Sequence, residues 1–135
     1  MNQSPIKRKV VVVLIAVVVG LLHFLTGPGY RGPVPGFVNG YMIDILLPFA
    51  MVLVLGVANQ SVLRSRVARG GFVFAIGAIT ETLQYFGVPI FGRTFDLLDY
   101  VMFGIGIGLA LTFERLVLSR IPEGTPPRSG NDVRR

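Results

Sequence analysis

The sequence predicts an all-α protein, a four-helix transmembrane bundle, from three observations. Hydrophobic residues make up 52% of the 135 residues, and the mean hydropathy is +0.66. Four apolar segments are long enough to cross a hydrocarbon core of about 30 Å as helices. Basic residues lie in short clusters that flank these segments. Because a soluble domain of this size could not bury so much apolar surface, we expect one integral membrane domain over residues 1–120.

The first two helices are predicted over residues 10–25 and 41–58. The first is rich in Val, but an isolated strand could not satisfy its backbone hydrogen bonds in lipid. No small-x-small cleavage site follows it, so we expect a retained helix and not a signal peptide. Residues 27–40 are rich in Gly and Pro and predict a loop without regular helix that lies against the bilayer surface.

The third and fourth helices are predicted over residues 71–88 and 95–119. A polar turn over residues 59–70 precedes the third helix, and Pro89 helps to end it. Thr94 is a candidate N-cap for the fourth helix. Residues 121–135 are polar and rich in Pro and Gly, which predicts a disordered cytoplasmic tail.

The distribution of Lys and Arg predicts an orientation in which both termini are cytoplasmic. Eleven basic residues then lie on the inner side and two, Arg31 and Arg93, on the outer side. The expected location is the inner or plasma membrane, with an up-down, multi-pass topology. Because the bases flank apolar runs, the net charge of +6 indicates membrane orientation and not nucleic-acid binding.

A set of polar side chains from all four predicted helices falls at one depth near the outer face. Each charge costs roughly 2.5–3.5 kcal/mol in the hydrocarbon, so a functional reason is expected. Spacing of i, i+3 places Glu81 with Gln84 on one helix face. The candidate ligand-binding residues are His23, Asp44, Glu81, Gln84, Arg93, Asp96 and Asp99.

Within this set, Asp96 and Asp99 also share a helix face at i, i+3 spacing. Arg93 is the natural counter-ion, and we expect it within salt-bridge reach of Asp96, Asp99 or Glu81. Gly104 and Gly108 form a small-xxx-small pair on an adjacent face, a pattern that favours close helix approach. At the cytoplasmic end, Glu114 is expected to pair with Arg115 or with interfacial arginines.

The spacing of these polar residues resembles the VanZ-like family of small membrane proteins. Glu81-x-x-Gln84 is followed by Arg93-Thr-Phe-Asp96-Leu-Leu-Asp99 and Gly106. The family pattern is E-x-x-Q, a short gap, then R-x-x-[SD]-x-x-D-x-x-x-N-x-x-G. Phe103 stands where the family has Asn, and the family's D-K-x-x-H near the second helix is absent. The resemblance implies an integral membrane protein, associated in some cases with glycopeptide (teicoplanin) resistance.

Two functional hypotheses follow for the polar layer. In the first, an outward-facing pocket binds an anionic or amphipathic envelope ligand of the lipid-linked or glycopeptide type, with Arg93 contacting the anion. In the second, a small hydrolase or transferase acts on a lipid-linked headgroup, with Glu81 or Asp99 as general base.

The polar layer contains no Ser or Cys nucleophile and no metal-spacing motif, which favours binding over catalysis. No cofactor or resident metal is expected, although the carboxylates and His23 include hard-cation ligands. Membrane lipid is the expected partner. A purely structural ion-pair network is the alternative explanation for the same residues.

Overall fold

The computed structural model describes residues 3–26, 29–58, 61–88 and 95–121. These ranges contain helices and no strand, which confirms the predicted all-α class. Arg93, Thr94 and the predicted tail beyond residue 121 lie outside the described residues. The helices are α1 (Gln3–Leu25), α2 (Pro35–Gly40), α3 (Met42–Val57), α4 (Arg66–Tyr85) and α5 (Leu97–Leu116), followed by a 3₁₀ turn (Leu118–Arg120).

Two stretches of helix are long and apolar enough to cross a membrane, judged by length and composition. They are Ile6–Leu25, near the N-terminus, and Leu97–Arg120. α3 is apolar but shorter. α4 has twenty residues, but it is less apolar because Arg69 and Glu81 lie within it. The part of the chain that is described therefore contains two candidate membrane spans.

A short helix, α2, interrupts the Gly/Pro-rich loop, so the prediction of no regular helix over residues 27–40 is wrong. Pro35 is its first residue, where the ring presets φ and the missing N–H removes no helical hydrogen bond. Val34, directly before it, has a left-handed backbone with φ of 52°. This turn directs the chain into α2, which packs against α3.

Side-chain caps set the beginnings of α4 and α5. The hydroxyl of Ser65 accepts a hydrogen bond from the Ala68 N–H at 2.9 Å, so α4 begins within the stretch predicted as a polar turn. The N-cap of α5 is Asp96, whose Oδ1 accepts from the Leu98 N–H at 2.9 Å. The prediction of Thr94 as this N-cap is therefore wrong. Asp and Ser cap well because a short side-chain oxygen reaches the unpaired N–H groups of the first turn.

α3 is the central helix and contacts α1, α2, α4 and α5. It approaches α5 most tightly at Gly106, where a Cβ would collide with the backbone carbonyl oxygen of Ile45. By contrast, a Cβ at Gly104 or Gly108 would have nothing within 4 Å. The predicted small-xxx-small pair therefore makes no helix contact, and Gly106 makes the close one. The buried apolar core comprises Val12, Val52, Leu53, Val73, Ile107, Ala110 and Leu118.

Large apolar side chains remain exposed on the outer faces of the helices. On α1, each of the following is more than half exposed: Val13, Leu14, Val17, Val18 and Leu21. On α5 the same holds for Leu97, Val101, Leu109 and Leu116. Contiguous apolar surface of this extent is rare on soluble monomers and suits contact with hydrocarbon or with another apolar surface.

A buried ion pair fastens α4 to α5 at the end away from residues 81 and 99. Arg69 donates to both carboxylate oxygens of Glu114, at 2.8 and 2.6 Å, and both side chains are buried. Arg69 also donates to the carbonyls of Leu63 and Arg64, at 3.3 and 3.2 Å. The alternative expectation, that Glu114 pairs with its neighbour Arg115, is not what the structure shows.

Gly106→Ala should destabilise the protein by about 1–3 kcal/mol, because the added methyl forces the backbones of α3 and α5 apart. Thermal denaturation of the detergent-solubilised chain measures this. The matched control is Gly104→Ala on the same helix, where the new methyl meets nothing and Ala gains up to about 1 kcal/mol of helix propensity. Equal effects of the two substitutions would contradict the close contact.

Glu114→Gln should destabilise the protein by about 3–5 kcal/mol, because it leaves the buried Arg69 guanidinium without its counter-charge. Arg115→Gln removes the exposed charge next to it and should change the stability by less than about 0.5 kcal/mol. Chemical or thermal denaturation in the same detergent compares the two. A mild effect of Glu114→Gln would show that the ion pair does not hold α4 against α5.

Candidate ligand-binding site

A cavity of about 510 Å³ lies between α3, α4 and α5. Its polar lining residues are Asn39, Asp44, Thr80, Glu81, Gln84 and Asp99. Its apolar lining includes Leu47, Pro48, Met51, Val73, Ile76 and Phe103. The carboxyl groups lie near the helix ends and the apolar residues lie further along the helices, so the cavity has a polar end and an apolar end.

Three helix ends bring the carboxyl groups together. Asp44 and Asp99 lie in the first turns of α3 and α5, where the helix dipole stabilises negative charge. Glu81 lies near the C-terminal end of α4, where the dipole opposes negative charge. The stability of α4 therefore does not explain why a carboxylate stands at position 81.

Glu81 is the most deeply buried of these acids, with 4% of its surface exposed, and Asp99 has 9% exposed. One Glu81 oxygen, Oε2, is buried and has no hydrogen-bond partner among the described groups. Leaving a buried acceptor unpaired costs about 1–3 kcal/mol, so this oxygen is a natural place for a ligand's donor.

Asp96 lies beside the cavity and not on it. Its Oδ2 accepts a hydrogen bond from the Tyr41 hydroxyl at 3.1 Å, while its Oδ1 caps α5. Phe95, the preceding residue, packs edge-on against Tyr85 and Tyr100, with ring centroids 5.3 and 6.2 Å apart. These contacts hold the beginning of α5 against α3 and α4, and Asp96 is best described as a positioning residue.

The structure thus brings together four of the seven predicted site residues on one cavity: Asp44, Glu81, Gln84 and Asp99. His23 is not among the lining residues. It is exposed at the end of α1, with its ring edge-on to Phe24 at 6.1 Å. Arg93 and its expected salt bridge lie outside the described residues. In the described part of the chain, no group of three or more His, Cys, Asp or Glu side chains is placed to hold a metal ion.

Sequence reasoning did not identify Tyr41, Asn39 or Thr80 at this site. Thr80 could have been found, because it lies four residues before Gln84 and i, i+4 positions share a helix face. Tyr41 carries no such signal. Its contact with Asp96 spans fifty-five positions and depends on how α3 packs against α5.

The fold and the cavity define a small all-helical protein with two helices able to cross a membrane and a carboxyl-lined cavity near one set of helix ends. Comparison with protein-family models, curated proteins and solved structures gives no match.

Tyr41→Phe should lower the free energy of unfolding by about 1 kcal/mol, because it removes the hydroxyl that donates to Asp96. Tyr85→Phe is the control, since it makes the same substitution at an exposed ring and keeps the aromatic contacts. Thermal denaturation in detergent compares the two variants. Unchanged stability of Tyr41→Phe would contradict a role for this bond in holding the start of α5.

Proposed function

We propose that the protein is a VanZ-like membrane protein whose cavity opens at the outer side and binds the polar end of an amphipathic envelope ligand. The observation that carries the proposal is the unpartnered Oε2 of Glu81, buried at the polar end of a cavity that is otherwise largely apolar. The family assignment is supported by the spacing of Glu81, Gln84, Arg93, Asp96, Asp99 and Gly106.

In this proposal α1, α3, α4 and α5 all cross the membrane, with both termini cytoplasmic. The exposed apolar faces of α1 and α5 support the crossing of the membrane. The orientation is supported by the basic residues, since it places eleven of them on the inner side and two on the outer side. α4 can cross despite its charges, because its twenty residues span about 30 Å and place Arg69 and Glu81 about 18 Å apart, towards opposite interfaces. Each charge is buried within the protein and not exposed to lipid.

The size and shape of the cavity support an amphipathic ligand. Its volume of about 510 Å³ lies within the usual range of about 300–1,000 Å³ for small-molecule sites. A headgroup can reach Glu81 and Asp99, while an adjoining apolar chain can contact Leu47 and Met51. A cavity of this size accommodates a headgroup-sized portion of a lipid-linked or glycopeptide-type molecule.

The charge of the described lining favours a ligand that donates hydrogen bonds. Asp44, Glu81 and Asp99 line the cavity, and no Lys or Arg is found among its described lining residues. Ionised carboxylates only accept hydrogen bonds, so hydroxyl, amide or ammonium groups fit better than an anion. Binding of an anionic headgroup would depend on Arg93.

The test uses the purified chain in nanodiscs and three probes with the same alkyl chain: decyl glucoside, decylamine and decyl phosphate. The glucoside or the amine should raise the melting temperature of the unmodified protein. In Glu81→Gln and Asp99→Asn this rise should fall by half or more, because the acceptor oxygens at the polar end are reduced in number.

Asp96→Asn is the matched control, because it removes a carboxylate that does not line the cavity and leaves a residue that still caps a helix. It should keep the response to the probes. Loss of the response in all three variants, or a response to decyl phosphate alone, would contradict the donor-ligand proposal. Turnover of a lipid-linked substrate that disappears in Glu81→Gln would favour the hydrolase or transferase instead.

A further inference from the structure

We infer that Phe103 is a specificity-determining residue of the carboxyl-lined cavity, and that its ring restricts the ligand to a single unbranched chain next to the polar headgroup. The inference rests on the binding function proposed above and narrows the class of ligand. It depends on the part of the cavity wall where Phe103 of α5 meets Gly77 of α4.

The ring of Phe103 packs directly against the backbone of α4 at Gly77. A Cβ at Gly77 would lie 2.6 and 2.7 Å from Cδ2 and Cε2 of the ring, so the ring occupies the space that any other side chain at position 77 would need. Both residues line the cavity, and only 9% of Phe103 is exposed. The contact therefore closes the cavity between α4 and α5 at this level.

This contact lies one helical turn from the carboxyl groups. Phe103 follows Asp99 by four residues on α5, and Gly77 precedes Glu81 by four residues on α4. Four residues of helix span about 6 Å, and positions i and i+4 share a helix face. A headgroup bonded to Glu81 would therefore place the first carbons of its chain beside the Phe103 ring.

The Phe103 ring has little room to move aside, because α5 is itself in contact with α3. A Cβ at Gly106, three residues further along, would collide with the carbonyl oxygen of Ile45 and lie 2.9 Å from Cγ of Pro48. The ring is thus backed by α4, and its helix is backed by α3. Closely packed interiors of this kind do not accept added methylene groups without strain.

The side of the cavity between α3 and α4 is less enclosed. Leu47 on α3 and Ile76 on α4 both line the cavity and are 49% and 38% exposed. One chain can leave the headgroup along these two side chains, whereas a branch directed towards α5 would meet the Phe103 ring. Since hydrophobic pockets discriminate between ligands that differ by one methylene about 10–200-fold, a branch next to the headgroup should be rejected about tenfold.

The test compares two pairs of isomers: octylamine with 2-ethylhexylamine, and octyl glucoside with 2-ethylhexyl glucoside. The members of a pair have the same number of carbons, so they differ in shape and not in apolar content. With the full chain in phosphatidylcholine nanodiscs, the concentration that gives half of the rise in melting temperature should be about tenfold lower for the straight isomer. In Phe103→Ala the two isomers should agree within about threefold, because the shortened side chain leaves a space beside the headgroup.

Phe113→Ala is the matched control. It makes the same substitution on the same helix, at a ring that packs against Phe49 and is outside the described lining of the cavity. It should keep the preference for the straight isomer. Phe103→Leu removes less volume and guards against misfolding of Phe103→Ala; its preference should be intermediate.

Three results would overturn the inference: equal binding of the isomers by the unmodified protein, an unchanged preference in both Phe103 variants, or an equal loss of preference in Phe113→Ala. The proposed function would survive each of them if binding of the straight isomer still weakens in Glu81→Gln. If neither straight isomer binds the unmodified protein, the proposed function fails and the inference fails with it.

Discussion

The ion pair between Arg69 and Glu114 is the interaction on which the remaining arrangement depends. Burying two opposite charges costs several kcal/mol per ion, and only close geometry with further hydrogen bonds offsets that cost. Here Glu114 receives two short bonds and Arg69 gains two backbone carbonyls. Because helices are stiff, the pair fixes the register of α4 against α5, and this register sets Glu81 opposite Asp99 at the other end.

The buried carboxylates at the two polar ends of the helices differ in their hydrogen bonds. Glu114 has both oxygens bonded by Arg69, although the Nε of Arg69 is itself buried without a hydrogen-bond partner among the described groups. At the cavity, Oε2 of Glu81 is buried without a partner among the described residues, and Glu81 lines an open space. An unsatisfied buried acceptor requires an explanation. We therefore assign Glu114, which Arg69 engages directly, to structure, and Glu81, whose unpartnered oxygen belongs to a cavity-lining residue, to ligand binding.

Helical periodicity was enough to predict the features that are determined within one helix, such as which side chains share a face. The all-α class and the shared face of Glu81 and Gln84 follow from spacing alone, and both side chains line the cavity. Contacts between helices were not predictable in this way. Glu114 pairs with Arg69 and not with Arg115 because of the way α4 packs on α5. The close helix contact is made at Gly106 and not at Gly104 because of the position of α3. Asp96 was predicted as a site residue, but local capping of α5 and Tyr41 engage it instead.

The central claim is that the carboxyl-lined cavity faces outward and the ion pair between Arg69 and Glu114 lies towards the inner side, and cysteine labelling tests it most directly. The chain contains no Cys, so Asn39→Cys at the cavity and Ser61→Cys between α3 and α4 each introduce a single thiol. In intact cells, a membrane-impermeant maleimide should label Asn39→Cys at once and Ser61→Cys only after permeabilisation. Labelling of Ser61→Cys alone, or of both without permeabilisation, would contradict the account.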